Sequence, residues 1–100
     1  MQTSLREKSK EIGFFWSRPL SEASAEDNYI QMCLFNRWLM ECYYMSVIPN
    51  NDEIGNTWVL WCHYTHEAIC CNDGYGNTYD SAFEEGLLKA IEYVKEKYNR

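Results

Sequence analysis

Apolar positions along the chain follow two spacings, one helical and one extended. Met32, Phe35, Leu39 and Cys42 recur at offsets of three and four, which gathers them on one face of a helix running to about Cys42. Ile30, Leu34 and Trp38 form a second stripe at four-residue steps, bordered by Asp27, Gln31, Arg37 and Glu41. Ser21 or Ser24 can cap this helix, and Ser24 with Asp27 reads as a capping box. A helix with two apolar stripes covers two surfaces. The clearest helix follows Thr78, a good N-cap. Phe83, Leu87, Ala90, Ile91, Val94 and Tyr98 make its apolar face. Asp80, Glu84 and Glu85 lie early and Lys89, Lys95 and Lys97 late, the order the helix dipole favours. Gly86 inside the helix costs about 1 kcal/mol relative to Ala, so a close neighbour is expected there, Trp58 or Trp61.

Extended patterns fill the middle. Tyr43 to Ile48 predicts a strand that stops at Pro49, and residues 50–56 a polar loop. Thr57 to Tyr64 is the strongest strand signal, Thr65-His66 a two-residue turn, and Glu67 to Cys71 a returning strand. The loop 73–77 carries two glycines. Alternation places Trp58, Leu60, Cys62, Ile69 and Cys71 on one sheet face and Val59, Trp61, His63, Ala68 and Cys70 on the other. Upstream, Ser4 and Glu7 fit a capping box for a short helix from Leu5 to Ile12, ended by Gly13. Phe14-Phe15-Trp16 follows. The expected fold is α+β: a three-stranded antiparallel sheet flanked by two helices in the order α-β-β-β-α, both on one sheet face. An N-terminal arm of helix and aromatic cluster spans 1–20, and one domain spans 21–100.

Composition narrows the class. The chain has 100 residues, 46% hydrophobic and 16% aromatic, which suits a folded domain and not a disordered one. No apolar run reaches the roughly 18–20 residues of a membrane span, and the N-terminus lacks a signal-peptide pattern. A soluble, cytoplasmic protein is expected. The net charge of −6 is uneven: +2 over residues 1–20, −5 over 21–56 and −3 over 57–100. Such a body repels phosphate backbones, so nucleic acid is not the expected partner. The five cysteines, Cys33, Cys42, Cys62, Cys70 and Cys71, are odd in number, fall in apolar patterns, and are expected to stay reduced.

Two resemblances follow from these elements. The α-β-β-β-α order over residues 25–98, with Gly74-Tyr75-Gly76-Asn77-Thr78 entering the last helix, resembles the double-stranded-RNA-binding domain. That resemblance implies the fold. In that family lysines at the start of this helix grip phosphates; here Asp80, Glu84 and Glu85 stand near their place, so no RNA-contact residue carries over. The run from Thr78 to Leu87 also resembles the C-terminal helix of short uncharacterised proteins of gut bacteria and their phages. It implies a phage or mobile-element accessory protein and supplies no catalytic residue.

Candidate chemistry is sparse. Cys62-His63, His66, Cys70 and Cys71 suggest a metal, but alternation puts Cys62 and Cys71 on one face, His63 and Cys70 on the other and His66 at the turn, where zinc needs about four converging ligands. His63 and Cys70 form a diagonal Cys-His pair on one face, without the cationic setting or pocket a catalytic thiol needs. No phosphate-loop, dinucleotide or kinase fingerprint is present. No catalytic residue, metal or cofactor is therefore expected. What stands out is apolar surface beyond one small core. Phe14, Phe15, Trp16, Ile30, Leu34, Trp38, Val59, Trp61 and His63 are the candidate interface. The expected function is a non-enzymatic protein-binding accessory or inhibitor, acting as a homodimer through an aromatic surface. The alternatives are a nucleic-acid module of the double-stranded-RNA-binding type, and a small metal-binding or thiol enzyme. No membrane or small-molecule partner is expected.

Overall fold

A computed structural model describes residues 2–16, 25–51, 53, 55–72 and 78–98. Three helices and three strands follow one another: α1 (Gln2–Glu11), α2 (Ala25–Tyr43), β1 (Met45–Asn51), β2 (Asn56–Cys62), β3 (Glu67–Cys71) and α3 (Tyr79–Tyr98). The strands form one antiparallel sheet in the order β1-β2-β3. The fold is thus the expected α+β arrangement, with α1 ahead of the α-β-β-β-α unit. The expected caps at Ser21 and Ser24 and the loop 73–77 lie outside the described residues.

α3 lies across β1 and β2, while α2 packs on β1 and on α3. Met45 and Val47 of β1 and Trp58 and Leu60 of β2 face these helices. They meet Met32, Phe35 and Leu39 of α2 and Phe83, Leu87, Ala90, Ile91 and Val94 of α3 in one buried cluster. α1 packs on α3 and adds Leu5 and Ile12 to that cluster. The Lys95–Glu11 ion pair links the same two helices. The described part of the arm, residues 2–16, therefore shares the core of the rest of the chain.

Local rules explain most boundaries. Gly13 takes φ +106°; its amide donates to Lys10 O and the Phe14 amide to Ser9 O, the paired bonds of a left-handed helix stop. α1 begins at Gln2, so Ser4 lies inside the helix and does not cap it, contrary to the expected capping box. Thr78 caps α3 as expected, its Oγ1 accepting the Ser81 amide at 3.0 Å. β1 runs through Pro49 instead of ending there. β1 is an edge strand, and at an edge a proline need not remove a ladder bond. Tyr43 completes α2, and Tyr44 turns the chain with φ 55°.

The nearest neighbour of Gly86 is Val47, which the pattern did not suggest, with the expected Trp58 beside it. A Cβ on Gly86 would stand 2.5 Å from Val47 Cγ1 and 3.2 Å from the Trp58 ring. Trp61 points to the other side of the sheet.

Candidate functional site

The nine candidate interface residues fall in three places. The first is an aromatic cluster within the chain. Phe14 lies 5.0 Å from Phe35 and 5.6 Å from Trp38, ring centre to ring centre. Trp38 also stacks on Phe35 and meets Tyr43 edge-on. Trp16 is 7% exposed and belongs to the core. The arm therefore folds back on its own chain, and Phe14, Trp16 and Trp38 are largely consumed there. Turning Gly13 left-handed aims Phe14 at Trp38, in the second stripe of α2. Phe15 points away and is 69% exposed.

The second place is the remainder of that stripe, Ile30 and Leu34, each about half exposed on α2. They lie apart from the third place, the sheet face opposite the helices.

That open face carries Ser46, Ile48 and Asn50 from β1, Thr57, Val59 and Trp61 from β2, and Ala68 and Cys71 from β3. Over the middle of β1 and β2 burial alternates, with Met45, Val47, Trp58 and Leu60 buried on the helix side and these residues half-buried or exposed. Ser46 stands opposite Trp61 and Ile48 opposite Val59 in the register. Ile48 is 47% exposed. The core cluster and the hydrophobics packed against it include none of Ile48, Val59 and Trp61. None of the eight residues is Asp, Glu, Lys or Arg, although such residues make up 24% of the chain. At one end, Ser46 Oγ and His63 Nε2 are 2.7 Å apart, and the His63 amide donates to Tyr44 O at 2.7 Å. This serine–histidine pair resembles the start of a nucleophilic dyad, yet among the described residues no carboxylate orients the imidazole. It ties the end of β2 to β1.

The sheet edge beside this face is closed. Asn36 of α2 pairs with the outer edge of β1: its Nδ2 donates to Val47 O at 2.9 Å, and the Val47 amide donates to its Oδ1 at 2.7 Å. A side-chain amide thus stands where a neighbouring strand would bind. The hydrophobic pattern does not mark Asn36; its position one residue after the buried Phe35 was the available signal.

The cysteines and histidines are distributed differently from the alternation argument. The turn between β2 and β3 is four residues long, 63–66, with His66 at φ 58°. Cys62 pairs with Glu67, and a bulge at Leu60/Trp61 then brings Leu60 opposite Cys70 and Val59 opposite Cys71. Cys70 is therefore on the helix side and Cys71 on the open face, the reverse of the expectation. The longer turn moves the register by two residues and so keeps the faces; the one residue inserted at the bulge then exchanges them. His63 and Cys70 consequently lie on opposite faces and form no pair. All five cysteines are free, and Cys33, Cys42, Cys70 and Cys71 are exposed rather than packed as small hydrophobes. Burial against the helix side pushes the Cys70 thiol pKa up. Among the described residues no three His, Cys, Asp or Glu side chains converge as a metal site would need. No described helix is long and apolar enough to cross a membrane.

At the start of α3, Asp80 and Glu85 are exposed and Glu84 is buried. The chain matches no protein family, no curated protein and no solved structure.

Proposed function

We propose that this is a protein-binding accessory protein without catalytic activity, which pairs with a second copy of itself through the open sheet face. The observation that carries the reading is an apolar face without formal charge, centred on Trp61, Ile48 and Val59, on a chain of net charge −6. Two copies of so acidic a chain repel one another wherever carboxylates meet. A charge-free face is where that repulsion is least and apolar burial greatest. A two-fold axis through such a face lets identical residues meet, the simplest closed assembly. Edge-to-edge pairing through β1 is blocked by Asn36.

Size sets the strength. Seven-residue strands at about 3.3 Å per residue, spaced about 4.8 Å apart, give a three-strand face of a few hundred Å². That is below the roughly 800 Å² per partner of a stable complex, so the pair is weak and concentration-dependent. The likeness of the start of α3 to short phage and gut-bacterial proteins supports an accessory role in that setting. The free cysteines suit a reducing compartment such as the cytoplasm. Against the nucleic-acid reading, which rests on topology, Asp80 and Glu85 present carboxylates at the start of α3 where phosphate would have to sit.

Light scattering over a wide concentration range tests the proposal. The mass is expected to climb from 11.9 kDa towards twice that value. Trp61→Glu, which puts a charge into the face, should hold it at the monomer value. Trp38→Ala should loosen the fold and leave association unchanged. A wild-type mass that stays at 11.9 kDa up to millimolar concentration contradicts the reading.

A further inference from the structure

At the turn end of the sheet, on the helix side, lies a cleft of about 280 Å³ that the interface reading does not use. Five of the eight tyrosines of the chain line it: Tyr43 and Tyr44 at the α2–β1 junction, Tyr64 in the turn, and Tyr93 and Tyr98 on the last turns of α3. Met45 and Ile69 add apolar wall, and Cys62, Thr65 and Lys97 supply the polar atoms. The volume suits a ligand at the small end of the usual range.

Two observations point to what it would hold. The first is Lys97. Lys10, Arg37, Lys89 and Lys95 each stand within ion-pair distance of a carboxylate. Lys97 instead donates to Tyr93 Oη at 3.1 Å, and its Nζ lies 5.5 Å and 5.9 Å from the centres of the Tyr93 and Tyr98 rings. Among the described residues no other residue lining the cleft is Asp, Glu, Lys or Arg, so the one formal charge they bring is positive and is held by aromatic faces. The second is Tyr44. It occupies a left-handed helix-stop position, φ 55°, where its amide donates to Met40 O at 3.1 Å. Glycine is the usual occupant there, and a residue with a Cβ is strained. Strain of this kind collects at ligand sites, and here it sets a ring on the wall of the cleft.

We propose that this cleft binds a small planar aromatic carboxylate, its ring laid among the tyrosines and its carboxylate paired with Lys97 Nζ. Flat rings meet flat rings, which gives contact area at little entropic cost. A charge-assisted bond to the ammonium fixes the orientation. A quaternary ammonium ligand, which tyrosine cages otherwise suit, is excluded by Lys97 itself. Cys62 provides an internal reporter. A hydrogen bond with Thr65, helped by the nearby Lys97 charge, holds its thiol below the usual pKa, so it alkylates readily when the cleft is empty. The inference rests on the cleft alone and stands whether or not the sheet face pairs.

Titration of the ¹⁵N-labelled full chain with indole-3-carboxylate, beside its neutral analogue indole-3-carboxamide, tests it. The carboxylate should give saturable shifts centred on Met45, Cys62 and Lys97, and should slow iodoacetamide labelling of Cys62. The carboxamide should bind at least about tenfold more weakly. Lys97→Met should reduce the carboxylate to the level of the carboxamide. Tyr44→Gly should raise the melting temperature while weakening binding several-fold, a combination that a purely structural tyrosine cannot produce. Equal binding of acid and amide, no saturation by about 10 mM, or undiminished binding by Tyr44→Gly would each overturn the proposal.

Discussion

Gly86 shows how much one missing Cβ can decide. On helix propensity alone, Gly86→Ala would gain about 1 kcal/mol. The added methyl would stand 2.5 Å from Val47 Cγ1, a stiff β-branched side chain, with Trp58 next to it. Overpacking should outweigh the propensity gain, and chemical denaturation is expected to show a net loss of about 1–3 kcal/mol. Glu84, 2% exposed, is the opposite case: a group present where the core would do better without its charge. Burial pushes its carboxyl pKa above the ordinary value of 4.5. A carboxyl whose folded pKa is raised favours the fold most below its unfolded pKa, and that contribution is lost as pH rises through the folded value. Glu84→Gln should therefore melt higher than wild type at pH 7, with the gain disappearing below about pH 4.5. A gain that grows towards acid would show that the sign is wrong. The close approach at Gly86 was legible in the sequence, because a mid-helix glycine demands a reason. Burial of Glu84 was not: its position near the helix start fits the dipole equally well in water.

Elements were legible wherever periodicity alone fixed them. α3, β3 and the buried stripe of α2 (Met32, Phe35, Leu39) came out as the spacing implied. Two features escaped it. Pro49 reads as a strand end only when its place in the sheet is unknown; at an edge the strand continues through it. The four-residue turn moves the register by two, the bulge beside Leu60 exchanges the faces of Cys70 and Cys71, and neither leaves a mark on composition. The edge itself is an element-scale device. Asn36 makes two hydrogen bonds to Val47, and removing them leaves that backbone amide and carbonyl without their partner. Asn36→Ala should cost about 1–3 kcal/mol in a denaturation curve. It should also make the chain more prone to aggregate on standing, as the freed edge of β1 accepts other strands. Unchanged stability would mean that water replaces the side chain without loss.

For the whole molecule, the sequence showed a surplus of aromatic rings, and the structure divides that surplus. The arm takes Phe14, Trp16 and Trp38 into the chain's own packing. The open sheet face keeps Trp61, with Ile48 and Val59, half-buried or exposed. Distribution could not be read beforehand, since it depends on where a glycine turn aims three adjacent rings. The tyrosine cleft was equally hidden, because its walls come from three separate stretches of chain and meet only in the fold.

Pairing through the sheet face is most directly tested by isotope-filtered nuclear Overhauser spectroscopy on an equal mixture of labelled and unlabelled chains at millimolar concentration. The account predicts intermolecular contacts from the Trp61 indole to the methyl groups of Ile48 and Val59 on the other copy, lost in Trp61→Glu. A spectrum without intermolecular contacts, or with contacts only from Phe15, Ile30 and Leu34, would contradict it.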